Sequence, residues 1–359
     1  MKKVLMIASE SSHFRNFHIP YINRLLRQGT LVYTAANGAF EHDGVIHKTL
    51  KFRKKITSPA NIGVIASLAS LIRRERFDAV YTNSTLAGIA GRMAVKLSGV
   101  KSAKCRHICH GYLFNDDGSK KSRVYLACEK MVRNRTELLA VMNQADLEIA
   151  KKYSLGREIV FINGMGLDSK KFPSVSDNEI SCEREKLGAK SGDILFLCVG
   201  EFSSRKNQSA VLEACAKLRR TDYKMIFAGE GVLLEECKRK AHELGLDEYV
   251  IFLGHCSDVN LLYRTCDCLI SASSFEGLPF NVMEALYCGE NIIVSDVKGN
   301  SDLAESAESV YPYGDTERLA ELMDRALPTE RKNILSEKYL LENVLHDNFV
   351  LLKYGNPEK

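Results

Sequence analysis

Short aliphatic and β-branched runs alternate along this chain with longer stretches whose apolar residues recur at helical spacing. That alternation predicts repeated βα units around parallel sheets: a strand covered on both faces reads as a continuous apolar run, and the helices that cover it read as amphipathic. In the first half, strands are predicted over Lys3–Ser9, Leu31–Ala35, Ala79–Thr82, Ala103–His107 and Leu138–Val141. Helices are predicted over Ile62–Arg76, Ala87–Leu97 and Asn143–Tyr153, the last opening on a capping-type asparagine. The pattern restarts at Ile194–Val199 and continues through Met225–Phe227, Val250–Leu253, Cys268–Ser271 and Asn291–Val294. Between the two series, the polar, proline-broken segment Phe172-Pro173-Ser174-Val175-Ser176-Asp177-Asn178 reads as a linker. The expected architecture is α/β, with two doubly wound, Rossmann-like parallel-sheet domains at residues 1–171 and 172–335. Residues 336–359 end a tail that is helical in pattern from Arg331, and whether it crosses back to the N-terminal domain is left open.

Composition adds little to this and contradicts none of it. A chain of 359 residues with 45% apolar and 26% charged positions is a folded protein of two ordinary domains. Its eleven cysteines are scattered. The close pairs Cys105/Cys109 and Cys266/Cys268 lack a second pair at zinc-ligand spacing, so they read as small buried hydrophobes in a reducing cytoplasm, with no metal site expected. The apolar run after Met1-Lys2-Lys3 is too short for a signal peptide, and no stretch approaches the roughly 18 residues of a membrane span. Charge does change the picture. The net +5 divides into +15 over residues 1–170 and −10 over residues 171–359. A basic half suits a phosphate-rich partner such as nucleic acid, an anionic membrane or a phosphorylated substrate, or is simply a solvated face.

The chemistry concentrates where a predicted strand ends at Ser271 and a loop with Gly277 and Pro279 leads into a helix-like run, Phe280–Leu286. Such a loop lies at the carboxyl edge of a parallel sheet, where ligands bind, and the helix start favours phosphate. Glu276 falls in the loop and Glu284 one turn into the helix. Eight helical steps leave an offset of about 80°, so the two would reach one ligand at different points rather than share a face. The plainer alternative is a capping Glu276 and a solvated Glu284. Arg205 and Lys206 follow another strand and combine a planar fork with a mobile point charge, as a leaving diphosphate requires, unless they are only an exposed basic helix start. His110 stands beside Gly111 at a strand end, open either to a ligand or to a purely structural role.

On these residues the chain resembles the retaining glycosyltransferases of family 4, which have the GT-B fold. The run from Glu276 to Glu284 matches the paired-glutamate motif, including its Glu-Gly-Leu-Pro opening. Val199–Asn207, Ala228-Gly229-Glu230-Gly231, Val250–Gly254, Asn163–Asp168 and Cys109–Phe114 are similar to further family segments. Phe17-His18-Ile19-Pro20 looks most like the capsule and exopolysaccharide branch. The resemblance implies two domains facing a cleft, with His110, Glu276, Arg205 and Lys206 catalytic. Gly277, Leu278, Pro279, Glu284, Gly229 and Leu253 would join Arg205, Lys206 and Glu276 in binding the donor, and His110 would lie near the transferred sugar. It further implies a nucleotide diphosphate sugar as donor, UDP-linked hexose or N-acetylhexosamine by default, and no cofactor. A polyprenyl-diphosphate-linked glycan would be the acceptor. There are departures: Glu201 stands where many relatives carry Arg, and Glu10–Arg15 lacks their glycine pair.

Other templates fit worse. The sequence has no Asp-x-Asp triplet for a metal-bound nucleotide sugar, no Gly-x4-Gly-Lys-Ser/Thr loop and no full dinucleotide fingerprint. Metal-independent transfer is the leading expectation. A nucleotide-sugar epimerase on the same architecture and a nucleic-acid-binding module are the alternatives; the basic half shows no regular aromatic interleaving for single strands, so no nucleic-acid partner is expected. Two basic clusters, one of Lys51, Arg53, Lys54 and Lys55 and one of Lys120, Lys121, Arg123, Lys130, Arg133 and Arg135, predict attraction to an anionic membrane surface. With Val124, Tyr125, Leu126 and Met131 among the second, the expected location is peripheral, at the inner face of the cell membrane.

Overall fold

The predicted apolar runs become two separate parallel sheets in a computed structural model that describes residues 1–53, 58–304 and 306–353. The first is built from β1 (Lys3–Glu10), β2 (Leu31–Asn37), β3 (Val45–Leu50), β4 (Ala79–Asn83), β5 (Lys104–Ile108), β6 (Leu138–Val141) and β7 (Glu158–Phe161). The second is built from β8 (Ile194–Val199), β9 (Tyr223–Ala228), β10 (Val250–Gly254), β11 (Cys268–Ser271), β12 (Asn291–Ser295) and β13 (Val310–Tyr311). Helices α1 (Ser12–Phe17), α2 (Ile19–Arg27), α3 (Ala60–Glu75), α4 (Thr85–Ser98), α5 (Lys120–Val132) and α6 (Gln144–Lys152) accompany the first sheet. The second has α7 (Asp177–Lys186), α8 (Gln208–Cys215), α9 (Leu234–Glu243), α10 (Val259–Thr265), α11 (Phe280–Cys288) and α12 (Thr316–Asp324), and α13 (Leu341–Leu351) closes the described chain.

The strand orders are β3-β2-β1-β4-β5-β6-β7 and β10-β9-β8-β11-β12-β13. Each reverses direction once, between β1 and β4 in one sheet and between β8 and β11 in the other. A doubly wound sheet opens a crevice at the carboxyl ends of its strands at such a point. Three strands, β3, β7 and β13, were not legible in the hydrophobic pattern. All are edge strands, and β3 and β7 expose much of their length. A strand covered on one side carries residues such as His47, Lys48 and Glu158 in place of an unbroken apolar run.

The chain forms two compact units, residues 1–166 with 341–359 and residues 167–340. The break thus falls at Gly166 rather than at 171. The whole of the predicted linker belongs to unit 2, where Ser176 caps α7 and the Glu179 carboxylate accepts from the Ser176 amide. Gly166 has φ +87°, and a Cβ there would stand 2.6 Å from Leu341 Cα, so only glycine fits. The tail is not one helix from Arg331. Ile334 N–H donates to the Leu286 carbonyl in unit 2, and the helix starts only at Leu341. In unit 1, α13 docks through Asn348 Nδ2, which donates to Tyr21 Oη at 2.8 Å and to the Gly164 carbonyl at 2.9 Å. Cys105, Cys109, Cys266 and Cys268 are buried and in no disulfide among the described residues, and burial pushes Cys105 up to about 12, which suits packing and not reactivity.

Candidate active site

In unit 2, the loops after β8 and β11 meet at the β8/β11 switch point. Ser274 N–H donates to the Arg205 carbonyl at 2.8 Å, tying the two loops together, and Asn281 Nδ2 of α11 donates to the Val199 carbonyl at 3.2 Å. Gly200 has φ +152°, and a Cβ there would come within 3.1 Å of Lys206 Cε. The missing side chain is what lets the lysine stem pass over the strand end. Lys206 Nζ then lies 2.7 Å and Arg205 2.6 Å from Glu276 Oε1, which also accepts from Ser273 Oγ at 2.8 Å. Glu276 is 9% exposed. Burial by itself would raise its carboxyl, but Lys206 and Arg205 outweigh burial and hold it below the ordinary carboxylate range.

Glu284 takes a different environment on α11. Its Oε2 accepts from Tyr263 Oη at 2.8 Å, and burial raises its carboxyl above the ordinary value, opposed by that bond and by Lys171 and Lys206. One glutamate is thus bound into a cationic cluster, and the other is fixed by a buried phenol. Leu278 and Pro279 are buried at the entry to α11, Gly277 is half-buried beside them, and no side-chain hydrogen bond caps the helix start. Gly299 accounts for the tight loop: a Cβ there would be 2.7 Å from the Gly277 carbonyl oxygen. Gly229 has a packing reason, because a Cβ would stand 2.1 Å from the Gly200 carbonyl oxygen. Leu253 lies on the edge strand β10, one residue before Gly254, whose carbonyl accepts from Gly229 N–H at 2.7 Å. At the departure from the family pattern, Glu201 is exposed, and its carbonyl accepts from Gln208 Nε2 at 3.0 Å and from Ser203 Oγ at 3.3 Å.

Unit 1 places its histidine at the corresponding point. His110 follows β5, and its Nε2 lies 3.4 Å from Oδ1 of Asn83 at the end of β4. It also lies 3.1 Å from Nε2 of His13, which stands on α1 directly after β1. His18 completes the group, its ring centroid 5.2 Å from that of His13 and 6.0 Å from that of His110. The loop without a glycine pair folds as α1, and this is what brings His13 back over the sheet. His13 and His18 are not connected with His110 by the sequence pattern; the one signal was that His13 and His110 each closely follow a predicted strand.

On α5, Lys120, Lys121 and Arg123 are exposed, as are Val124 at 49% and Met131 at 52%. Tyr125 and Leu126 turn the other way and pack against the core, so they are not part of an outward apolar face. The inward face carries Glu129, paired at 2.8 Å with Arg92, both fully buried. Lys54 and Lys55 of the other basic cluster lie outside the described residues. Among the described residues, no helix is long and apolar enough to cross a membrane.

The profile of the family described as glycosyl transferases group 1 matches residues 179–339, nearly the whole of unit 2. The C-terminal unit belongs to the glycosyl transferases of group 1. Over 86% of its length the chain is 29% identical to EpsD of Bacillus subtilis, which bears a glycosyltransferase name, covering 83% of that protein. It is 28% identical over 67% of its length to the UDP-Gal:alpha-D-GlcNAc-diphosphoundecaprenol alpha-1,3-galactosyltransferase of Escherichia coli, covering 64% of that enzyme. Among solved structures, Anabaena HepE in complex with UDP and glucose matches 98% of the chain and all of its own, with a TM-score of 0.76 at 18% identity. The chain is therefore a glycosyltransferase, and its two parallel-sheet units are those of the GT-B fold.

Proposed function

We propose that this glycosyltransferase moves a hexose or N-acetylhexosamine from a UDP-sugar, with retention at the anomeric carbon, to a hydroxyl of a polyprenyl-diphosphate-linked glycan in capsular or exopolysaccharide synthesis. The observation that carries this is the convergence of Arg205, Lys206 and Glu276 beside the start of α11. A departing nucleoside diphosphate gains charge, and two preorganised cations with a helix N-terminus stabilise it most when the sugar leaves. They supply the positive charge that a divalent ion supplies at other nucleotide-sugar sites, so transfer needs no metal at the phosphates. Glu276 orients both cations, Glu284 accepts from the ribose hydroxyls, and His110 is the unit 1 residue assigned to the sugar. The printed activity of the E. coli relative, a UDP-galactose enzyme with a diphosphoundecaprenol acceptor, supports the donor base and the acceptor class. Incubation with labelled UDP-sugars is the test. Transfer only in the presence of a polyprenyl-diphosphate-linked acceptor, with retained configuration, is expected; an isomerised nucleotide sugar formed without acceptor would point to an epimerase.

Glu284→Ala is expected to weaken donor binding by roughly 10- to 150-fold, the loss of one charge-assisted hydrogen bond worth about 1.5–3 kcal/mol, with a smaller effect on turnover. Tyr263→Phe should change KM in the same direction by less, because the phenol only fixes the carboxylate. A donor titration with unchanged affinity in Glu284→Ala excludes the assignment.

We infer further that α5 meets anionic lipid on the inner leaflet, bringing the enzyme to its acceptor. Each basic residue near such a surface adds about 1 kcal/mol, so reversing Lys120, Lys121 and Arg123 to Glu should reduce co-sedimentation with anionic vesicles by roughly 10²-fold or more. Equal sedimentation with neutral and anionic vesicles would leave the basic face merely solvated.

A further inference from the structure

The histidine group in unit 1 has properties that the transfer reaction does not use. The ligand-capable atoms of His13, His18 and His110 all lie within 4.8 Å of one another. The Nε2 atoms of His13 and His110 are 3.1 Å apart. Two nitrogens each about 2.0–2.1 Å from a tetrahedral ion would be roughly 3.3 Å apart, so the separation of this pair is already close to that of two ligands on one ion. His18 is fully buried, and neither of its ring nitrogens has a hydrogen-bond partner among the described residues. A buried imidazole with both nitrogens unanswered is costly and calls for an explanation.

The backbone holds this arrangement firmly. His18 closes α1 with its N–H on the Phe14 carbonyl at 2.9 Å, and Pro20, lacking an amide hydrogen, sits in the first turn of α2. The resulting break between the two short helices turns the His18 ring back toward His13, five residues earlier. Cys109 N–H on the Ala140 carbonyl at 2.8 Å anchors the strand end before His110, and Gly111 at φ +106° turns the chain away after it. Phe14, Phe17 and Tyr21 surround the rings.

We propose that His13, His18 and His110 form a binding site for one zinc-class transition-metal ion, distinct from the donor phosphates. Imidazole nitrogens select Zn²⁺, Ni²⁺ or Cu²⁺ over Mg²⁺ and Ca²⁺, which take oxygen, and three histidines leave a further coordination position open. In the metal-free state the 3.1 Å contact holds one N–H proton between His13 and His110. Metal binding moves that proton to Nδ1 of the same ring and releases none. His13 and His110 are half-buried, which leaves the ion a route in.

Full-length protein freed of metal with a chelator and titrated with Zn²⁺ and with Co²⁺ tests this. One equivalent of Zn²⁺ should bind, with a rise in melting temperature, Co²⁺ should give the intense visible absorption of a tetrahedral centre, and Mg²⁺ should do neither. His18→Phe keeps an aromatic ring in the buried slot, and His13→Asn removes a ligand at a half-buried position; each should weaken Zn²⁺ binding at least 10²-fold. Absence of stoichiometric binding overturns the proposal. So does wild-type affinity in both variants, which would place the ion on exposed groups such as the Cys182 thiol. These readouts do not involve sugar transfer, so they stand or fall apart from the role assigned to His110.

Discussion

Lys206→Ala is expected to lower turnover by about 10²-fold or more, with a smaller loss of donor affinity. The lysine reaches the Glu276 carboxylate at 2.7 Å from a side chain that is only 13% exposed, so its charge acts in a site with little water to screen it. Arg205→Ala should act in the same direction but less strongly, because Arg205 is more exposed, at 34%, and part of its charge is already solvated. Single-turnover rates and donor affinities measured for both variants check this. Full activity in both would move the diphosphate contact elsewhere in unit 2.

Glu276→Gln should also cost about 10²-fold in turnover, by a different route. Its Oε1 is the point on which Arg205, Lys206 and Ser273 all converge, so a neutral amide releases two like charges held close together. The variant should be less stable by up to about 3 kcal/mol, the low end for breaking a buried pair, since the arginine can turn to solvent. Because the cations hold the carboxyl below its ordinary range, the wild type keeps this stabilisation above the unfolded-state pKa and loses it as pH falls through the lower folded value. The deficit of Glu276→Gln in thermal melts should therefore be full at pH 7 and shrink in acid. A double-mutant cycle with Lys206→Ala should be strongly non-additive, as expected for groups in contact. Additive losses would mean that the two residues act separately.

That the loops after β8 and β11 fall at one sheet edge was readable in the sequence alone. Glu276, Arg205 and Lys206 stand in the loops past apolar runs that become β8 and β11, with Glu284 on the helix that follows, and a parallel sheet delivers such loops to one edge. What the pattern could not show was their pairing. Whether Arg205 and Lys206 face outward or converge on Glu276 depends on how the two loops are tied, by the Ser274–Arg205 bond across 69 residues. Gly229 illustrates the same limit: its motif reads as ligand-binding, yet its missing side chain is required by the Gly200 backbone.

The sequence by itself determined the α/β class, the two successive sheets, the Glu276–Glu284 motif and the division into a basic and an acidic half. These follow from local hydrophobic period, from residue type and from composition, none of which needs a partner distant in the chain. Only the tertiary structure decided the edge strands β3, β7 and β13, whose one-sided cover leaves no continuous apolar run. It also decided that α13 returns to unit 1, where Asn348 meets Tyr21 across 327 residues. The gathering of His13, His18 and His110 belongs to this second kind, because it depends on β1 and β5 being brought to a common sheet edge with β4 between them. A contact between residues so far apart leaves no periodic trace in the sequence that encodes it.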